Sequence, residues 1–589
     1  MSSQYVSTTS GFTHRGLRRV LIAATMIFSL FHSVGHAKAE GSDPLRYLPV
    51  QDAGRVKPLD TLARETLQLV YGYETYKTPK GERRPAIEIV MTWMLIPRYW
   101  DTQKIVQITH KGLKDSLDLP AEEKYFSPEE LFANPRTSLV FQELNSFRAT
   151  KQKLSPYFQA VQRLENQLGM YQAIKNGYGI RVVPPRAGDD SRLADDPHGE
   201  SARWLSVSEL QGELQDKFGE IIKAFVRSLP ADEDIPVAPG DNESGPSLSE
   251  AVENFKASAR AENPALYPAD RVIAVEVHER SFHPFMYTWI LYLLSGVVLA
   301  YAWHLGTSKI GLGFYRAGWV LTVLAFLLHT YGFGLRIYLT GRPPVSNMYE
   351  SVVWVSWGTV LFAAIFEALY RRRFILLAGT AVGVLCLIVA DMAPTILDRS
   401  IQPLEPVLRS NLWLTVHVLT ITLSYSAFFL AWGLSNIGLG FILVGERPTS
   451  DRMRAIVQTV YRTLQIGVVL LAAGTILGGI WADYSWGRFW GWDPKETWAF
   501  IALMGYIALL HGRLIGWVKN TGLLVGSVVA FSLVIMAWYG VNYVLGAGLH
   551  SYGFGAGGVQ YVAGFVILNF IYLAYVLYVQ HVRAKKLAG

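Results

Sequence analysis

From residue 285 to 582 the chain alternates between long uncharged stretches and short basic connections. A helix rises 1.5 Å per residue, so about 20 apolar residues cross the hydrocarbon core. Runs of that length predict nine membrane spans, at 285–303, 317–337, 349–370, 374–393, 412–444, 464–482, 497–517, 522–543 and 560–582. The fifth exceeds one simple crossing and is expected to project beyond the bilayer at one end. The expected fold class is an all-α polytopic membrane protein carrying a mainly helical, exported N-terminal soluble domain.

The segment before the spans has a different texture. Residues 40–280 interleave charged and apolar positions, with amphipathic stretches such as 138–170, and with Pro/Gly/acid-rich passages at 184–199 and 230–245 that read as loops. Few strands are expected there. Ahead of it, basic residues at 14–19, an apolar core at 20–30 and Ala37-Lys38-Ala39 have the form of a secretory signal peptide, with an uncleaved anchor helix as the other reading. The division is therefore 1–39 signal or anchor, 40–280 soluble domain and 281–589 membrane domain.

Charge placement sets an orientation. With the soluble domain outside, every inner connection is basic: Lys309 and Arg316; Arg371, Arg372 and Arg373; Arg447, Arg452 and Arg454; Arg513 and Lys519; Arg583, Lys585 and Lys586. The expected location is the bacterial cytoplasmic (inner) membrane. Much of the excess behind the net charge of +7 sits in these loops, and it gives no reason to expect nucleic acid as a partner. One cysteine among 589 residues excludes an internal disulfide framework, a Cys-based zinc site and a CxxC relay. Cys386, inside the fourth span, reads as a small apolar filler.

Candidate chemistry concentrates in the loop at 481–498, where five of the 17 tryptophans fall. An interfacial aromatic belt needs one or two per helix end. It leaves Gly487, Gly491 and Pro494 unexplained. A platform for a large flat ligand explains both, with Trp481, Trp486, Trp490, Trp492 and Trp498 as stacking surface and Arg488 and Lys495 as carboxylate partners. A porphyrin has that shape and those carboxylates. Imidazole is a usual axial ligand of haem iron. His417, near the outer end of the fifth span, and His550, in the outer loop after the eighth, share the face of the tryptophan loop. His511 and His329 lie inside spans, where ionisable groups are costly and point to function; His329 reads equally as a packing residue. In the loop at 340–348 the two prolines fix an extended path and the flanking arginines are expected to face outward, Arg342 as a propionate partner and Arg336 either likewise or snorkelling to headgroups. Asp391 and Glu367, near span ends, are expected to be solvated. His110 and His198 read as surface residues.

The run Trp486-Gly487-Arg488-Phe489-Trp490-Gly491-Trp492-Asp493-Pro494-Lys495-Glu496-Thr497-Trp498 resembles the WWD signature of the haem-handling proteins of cytochrome c maturation, and is most similar to the CcsA (ResC) subunit of the System II synthase. His417 and His550 match that family's external histidines and His511 its intramembrane one. Residues 342–351 resemble its early membrane motif, and residues 50–61 resemble a stretch preceding the synthase half in fused forms.

The resemblance implies haem b as substrate, export or presentation of haem at the outer face, and covalent attachment to the CxxCH thiols of apocytochrome c, making the chain part of a holocytochrome c synthase (haem lyase). It implies His417 and His550 as iron ligands, His511 as a further one, and a reacting set completed by Trp490, Trp492 and Asp493. Fused forms carry an additional membrane portion at their N-terminus. Where they do, this chain has only the signal-like segment, so a separate CcsB (ResB)-type subunit is an expected partner, beside apocytochrome c and thiol-reducing proteins. The competing reading is a haem carrier that loads a chaperone without catalysing attachment.

Overall fold

The structure is a computed structural model; it describes residues 43–150, 154–188, 202–229, 235–236, 245–393, 396–404, 408, 410–546 and 558–588. The signal-like segment, His198 and His550 lie outside these. Among the described residues, nine helices are long and apolar enough to cross a membrane. They run Pro284–His304, Lys309–Thr340, Met348–Tyr370, Ile375–Met392, Asn411–Leu443, Asp451–Trp486, Pro494–Leu514, Asn520–Leu545 and Val559–Ala588. Each coincides with an expected span. The sixth is longer than its apolar core, because Ser450 caps a polar first turn.

The fifth span is the hub of the bundle. It packs on the third, fourth, sixth, eighth and ninth spans, and it is among the most buried. Small residues permit these contacts: a Cβ on Gly433 would meet Val382 of the fourth span, and one on Gly358 of the third would meet Ser426. Its extra length is taken up at the start, where Leu414–Val418 widen into a π-helical turn. Such insertions place side chains off the regular helical face and occur often at functional sites.

The soluble domain is mostly helical, as expected, but carries more strand than the periodicity suggested. Pro49–Asp52 pairs antiparallel with Arg55–Pro58 across a two-residue turn, Ala53-Gly54, both in the left-handed region. Arg181–Val183 and Leu205–Ser206 extend this into a four-stranded sheet. These strands are two to four residues long, too short to show a period of two. Helices pack over them around Trp93, Trp100, Tyr171 and Phe225, all fully buried.

Domain and bundle are joined through the helix Asp270–Phe282, which closes the soluble domain and leads into the first span, and through the loop after the fourth span. Arg55 reaches Glu276 through two bonds of 2.7 and 2.9 Å, and Thr61 donates to the same carboxylate. Arg280 pairs with Glu65, and Arg399, from the loop after the fourth span, with Glu74 at 2.7 Å. Gly54 touches Pro403. The soluble domain thus sits at the end of the bundle that carries the loops at 341–347 and 396–404.

Two expectations about charge are overturned. Arg336 does not reach headgroups: it is buried, pairs with Glu350 and donates to the Arg399 carbonyl at 3.2 Å. Glu367 is not solvated: it is fully buried and accepts from the Tyr315 hydroxyl and from the backbone N–H groups of Arg373 and Ile375. In both cases the partner lies on another element, and a paired charge is no longer driven to water. Asp391 is half-buried and accepts from the Trp289 indole at 3.2 Å.

Candidate functional site

At the end of the bundle nearest the soluble domain, the loop at 345–348, the π-turn of the fifth span, the sixth span, the start of the seventh and the eighth enclose a chamber of about 170 Å³. His417 lies on its wall with Trp481, Trp490, Lys495 and Trp538. The π-turn presents the imidazole. Its Nδ1 lies 2.8 Å from the Gly474 carbonyl, an acceptor that requires the proton on Nδ1 and leaves the lone pair on Nε2, the form in which imidazole binds metals. Gly478 is required beneath the ring, because a Cβ there would stand 2.6 Å from His417 Cε1. The indole of Trp481 meets the imidazole edge-on at 5.6 Å.

The tryptophan loop is built by helix capping. Asp493 is the N-cap of the seventh span, accepting from Lys495 N at 3.1 Å, while Glu496 accepts from the backbone of Gly491 at 2.8 Å and Asp493 at 3.2 Å. Pro494 takes the first helical position, where no N–H is needed. Gly487 ends the sixth span in the left-handed region, and Trp492 adopts the same conformation, uncommon for a non-glycine residue. This arrangement turns Trp490 into the chamber and leaves Trp492 68% exposed, the two indoles perpendicular at 5.8 Å. Arg488 lies across Gly491, over the Trp486 ring at 5.9 Å and 3.6 Å from Glu496.

Not all the expected residues converge. Trp481 and Trp490 line the chamber; Trp486, Trp492 and Trp498 do not. Lys495 does, with its Nζ 3.3 Å from the Trp538 carbonyl. Arg342 sits in the adjoining loop, donating to the Gln402 carbonyl at 2.7 Å; burial lowers its pKa from the usual guanidinium value. His329 is fully buried between Phe285, Phe333 and Tyr292, its Nδ1 3.3 Å from the Tyr292 hydroxyl. His511 is exposed on the seventh span, its Nδ1 2.9 Å from the Ile507 carbonyl of the preceding turn.

Sequence reasoning missed Trp538 and Asn542 on the wall, and Trp413 beside it. Trp413 stacks on Trp481 at 6.4 Å and 8°, and its spacing of four from His417 was the available signal. Trp538 and Asn542 repeat that spacing on the eighth span and both face the chamber.

Comparison with known proteins places this geometry in a family. Residues 345–550 match the family model described as cytochrome C assembly protein. The cytochrome c biogenesis protein CcsA of Synechococcus sp. (strain CC9605) is 35% identical over 273 residues, covering 40% of this chain and 88% of that protein. The CcsA of Prochlorococcus marinus (strain MIT 9301) is 36% identical over 263 residues, 40% of this chain and 84% of that protein.

The chain belongs to the CcsA family of cytochrome c biogenesis proteins.

Protein NrfI of Wolinella succinogenes is 28% identical over 521 residues, which is 85% of this chain and 53% of that protein. This CcsA-family chain therefore spans about half the length of NrfI, and its likeness to NrfI extends well beyond the matched 345–550 segment. The matched segment contains every described residue of the chamber wall, from Val345 to Asn542.

Proposed function

We propose that this chain is the haem-presenting and attaching subunit of a cytochrome c synthase: haem reaches the His417 chamber and is joined there to the two thiols of an apocytochrome c CxxCH segment. The observation that carries the reading is the His417 imidazole, with its proton directed to the Gly474 carbonyl, facing a chamber whose wall includes the indoles of Trp481, Trp490 and Trp538, the cation of Lys495 and the carboxylate of Glu496.

The donor set suits haem. One imidazole approaches iron, Trp481 and Trp490 offer ring faces, and Lys495, with Arg342 and Arg488 nearby, offers cations for propionates. His550 is the proposed second ligand, and it lies outside the described residues. At about 170 Å³ the chamber is smaller than the ~300–1,000 Å³ of pockets that enclose large ligands. Accepting a porphyrin therefore requires the Trp490 loop to swing outward, with the left-handed Gly487 and Trp492 as its turning points. The attachment adds each thiol across a vinyl group: sulfur bonds to the vinyl carbon next to the ring, and the thiol proton goes to the terminal carbon. Nothing is oxidised or reduced overall, so the protein's contribution is to hold two vinyls beside two thiols. Asp493 and Glu496 serve as positioning residues that fix the loop bearing Trp490.

The sidedness proposed is extracytoplasmic for the chamber and soluble domain. It is supported by the basic ends opposite: Arg373, Arg513 and Arg583 each donate to backbone carbonyls at the far end of the bundle. Exposure of His511 on the bundle exterior supports a CcsB-type membrane subunit covering it, since an intramembrane imidazole is costly against lipid. The deciding experiment is co-expression with such a subunit and a reporter apocytochrome. Haem that survives denaturation on the reporter, abolished by His417→Ala, is the expected result. Haem bound to the wild-type chain with none transferred covalently would favour a carrier instead.

A further inference from the structure

A second cavity adjoins the chamber and is larger, about 610 Å³. It lies between the fourth and ninth spans, with Phe429 of the fifth span and Phe531 of the eighth at its floor. Its wall contains no Asp, Glu, Lys, Arg or His among the described residues; the titratable groups on it are Cys386 and two tyrosines. Val389 and Met392 on one rim are 44% and 68% exposed, and Tyr561 on the other is 69% exposed. These rims belong to helices in the membrane-spanning set, so the mouth faces the hydrocarbon layer. Met348 and Trp538 line both this cavity and the His417 chamber. Trp538 is held on both sides, its indole donating to Ser351 Oγ at 3.0 Å and its carbonyl lying 3.3 Å from Lys495 Nζ.

We propose that the cavity walled by Cys386, Val389, Phe429, Phe531, Trp538 and Val562 binds the acyl chain of a membrane phospholipid, which backs the Trp538 wall of the chamber. An apolar pocket of this size forfeits dispersion contacts along its lining unless filled. Water lacks the two to four polar partners it needs there. A porphyrin would bring two carboxylates to a wall with no cation among the described residues. A hydrocarbon chain brings no polar group and enters from the phase the mouth opens on. This assignment does not depend on what the His417 chamber binds.

The test uses the full chain in nanodiscs of phosphatidylcholine bearing a photoactivatable acyl chain, then extracted into detergent with extensive washing before irradiation. Irradiation after washing is expected to label peptides spanning 385–393 and 531–539, while the outward face of the ninth span at Ile567, Leu568 and Ile571, whose lipid is washed away, stays unlabelled. Val389→Trp and, separately, Val562→Trp should each reduce the retained label by about tenfold, because the indole fills the space and removes the packing contacts of the chain. Monodisperse elution of each variant verifies its fold. Retained label no greater than that on the ninth-span face, or unaffected by both substitutions in folded protein, would overturn the proposal. Haem content, followed separately, reads the chamber, so failure of the lipid assignment and failure of the haem reading remain distinguishable.

Discussion

Arg336 of the second span and Glu350 of the third form an ion pair of 2.8 Å in which each side chain is only about 2% exposed. The pair is the inner end of a series of contacts that starts in the soluble domain. Lys57 pairs with Glu65, Glu65 with Arg280, Arg280 with Glu74, and Glu74 with Arg399, whose carbonyl accepts from Arg336. Glu350 in turn accepts from Ser346 N and Oγ at 2.9 and 2.6 Å, and Ser346 lines the chamber. Docking of the soluble domain and the shape of the chamber lip therefore share one set of buried charges. Breaking a buried pair by removing one partner costs about 3–5 kcal/mol. Arg336→Met should fall in that range, because it strands Glu350 with only Ser346. Glu350→Gln should cost less, because Glu279 remains 3.6 Å from Arg336. Apparent melting temperatures in detergent give the order, and the double variant should lose less than the sum of the singles.

Gly478 gives a probe of the chamber that leaves the histidine in place. Gly478→Ala puts a methyl group 2.6 Å from His417 Cε1, so the ring must turn away from Gly474. Alanine is otherwise favourable in a helix interior, by roughly 1 kcal/mol over glycine. Thermal stability should hold or rise while haem absorbance in the purified protein falls to near the level of His417→Ala. A variant that keeps full haem content would show that His417 does not act through this rotamer.

Acid should loosen the junction between the domains. Burial pushes the Glu65 carboxyl up, but Lys57 and Arg280 outweigh it, and its pKa in the folded protein lies below the usual carboxylate value. A depressed carboxylate contributes stability that is fully present above its unfolded pKa, about 4.3, and is lost as pH falls through the lower folded value. Melting temperature followed from pH 7 downward should decline through that window. Glu65→Gln should start lower at pH 7 and decline less steeply. Equal slopes for the two proteins would assign the acid sensitivity elsewhere.

What could be read from residue order alone was decided by the range of the interaction. The spans follow from local composition and were legible; the capping box from Asp493 to Glu496 is also a four-residue pattern, but Asp493 was read only as a reacting residue. His417 could be placed near a bundle end by counting along its span. Its π-turn, which packs against the sixth span, could not, because no residue pattern marks a widened turn. Arg336 reads as an outward arginine until Glu350 and Glu279, 14 and 57 positions away, close on it. Trp538 was invisible as a site residue for the same reason: its role comes from separating two cavities, and no cavity is visible in a linear pattern.

Lys495 separates a haem site from a generic aromatic pocket. It is the one lysine on the chamber wall among the described residues, and its Nζ approaches the Trp538 carbonyl. Arg488, in contrast, already has Glu496 at 3.6 Å. If Lys495 meets a propionate, the contact is a charge-assisted bond of about 1.5–3 kcal/mol, or roughly 10- to 150-fold in affinity. Lys495→Met keeps the aliphatic stem and removes that bond. Its loss of affinity should appear with haem and vanish with haem dimethyl ester, whose propionates carry no charge. Arg488→Met should change both ligands less, because its guanidinium is shared with Glu496. Titrating each variant with the two ligands, followed by Soret absorbance, gives the comparison. An equal loss for haem and its ester in Lys495→Met would mean that the lysine shapes the wall rather than recognising the carboxylate.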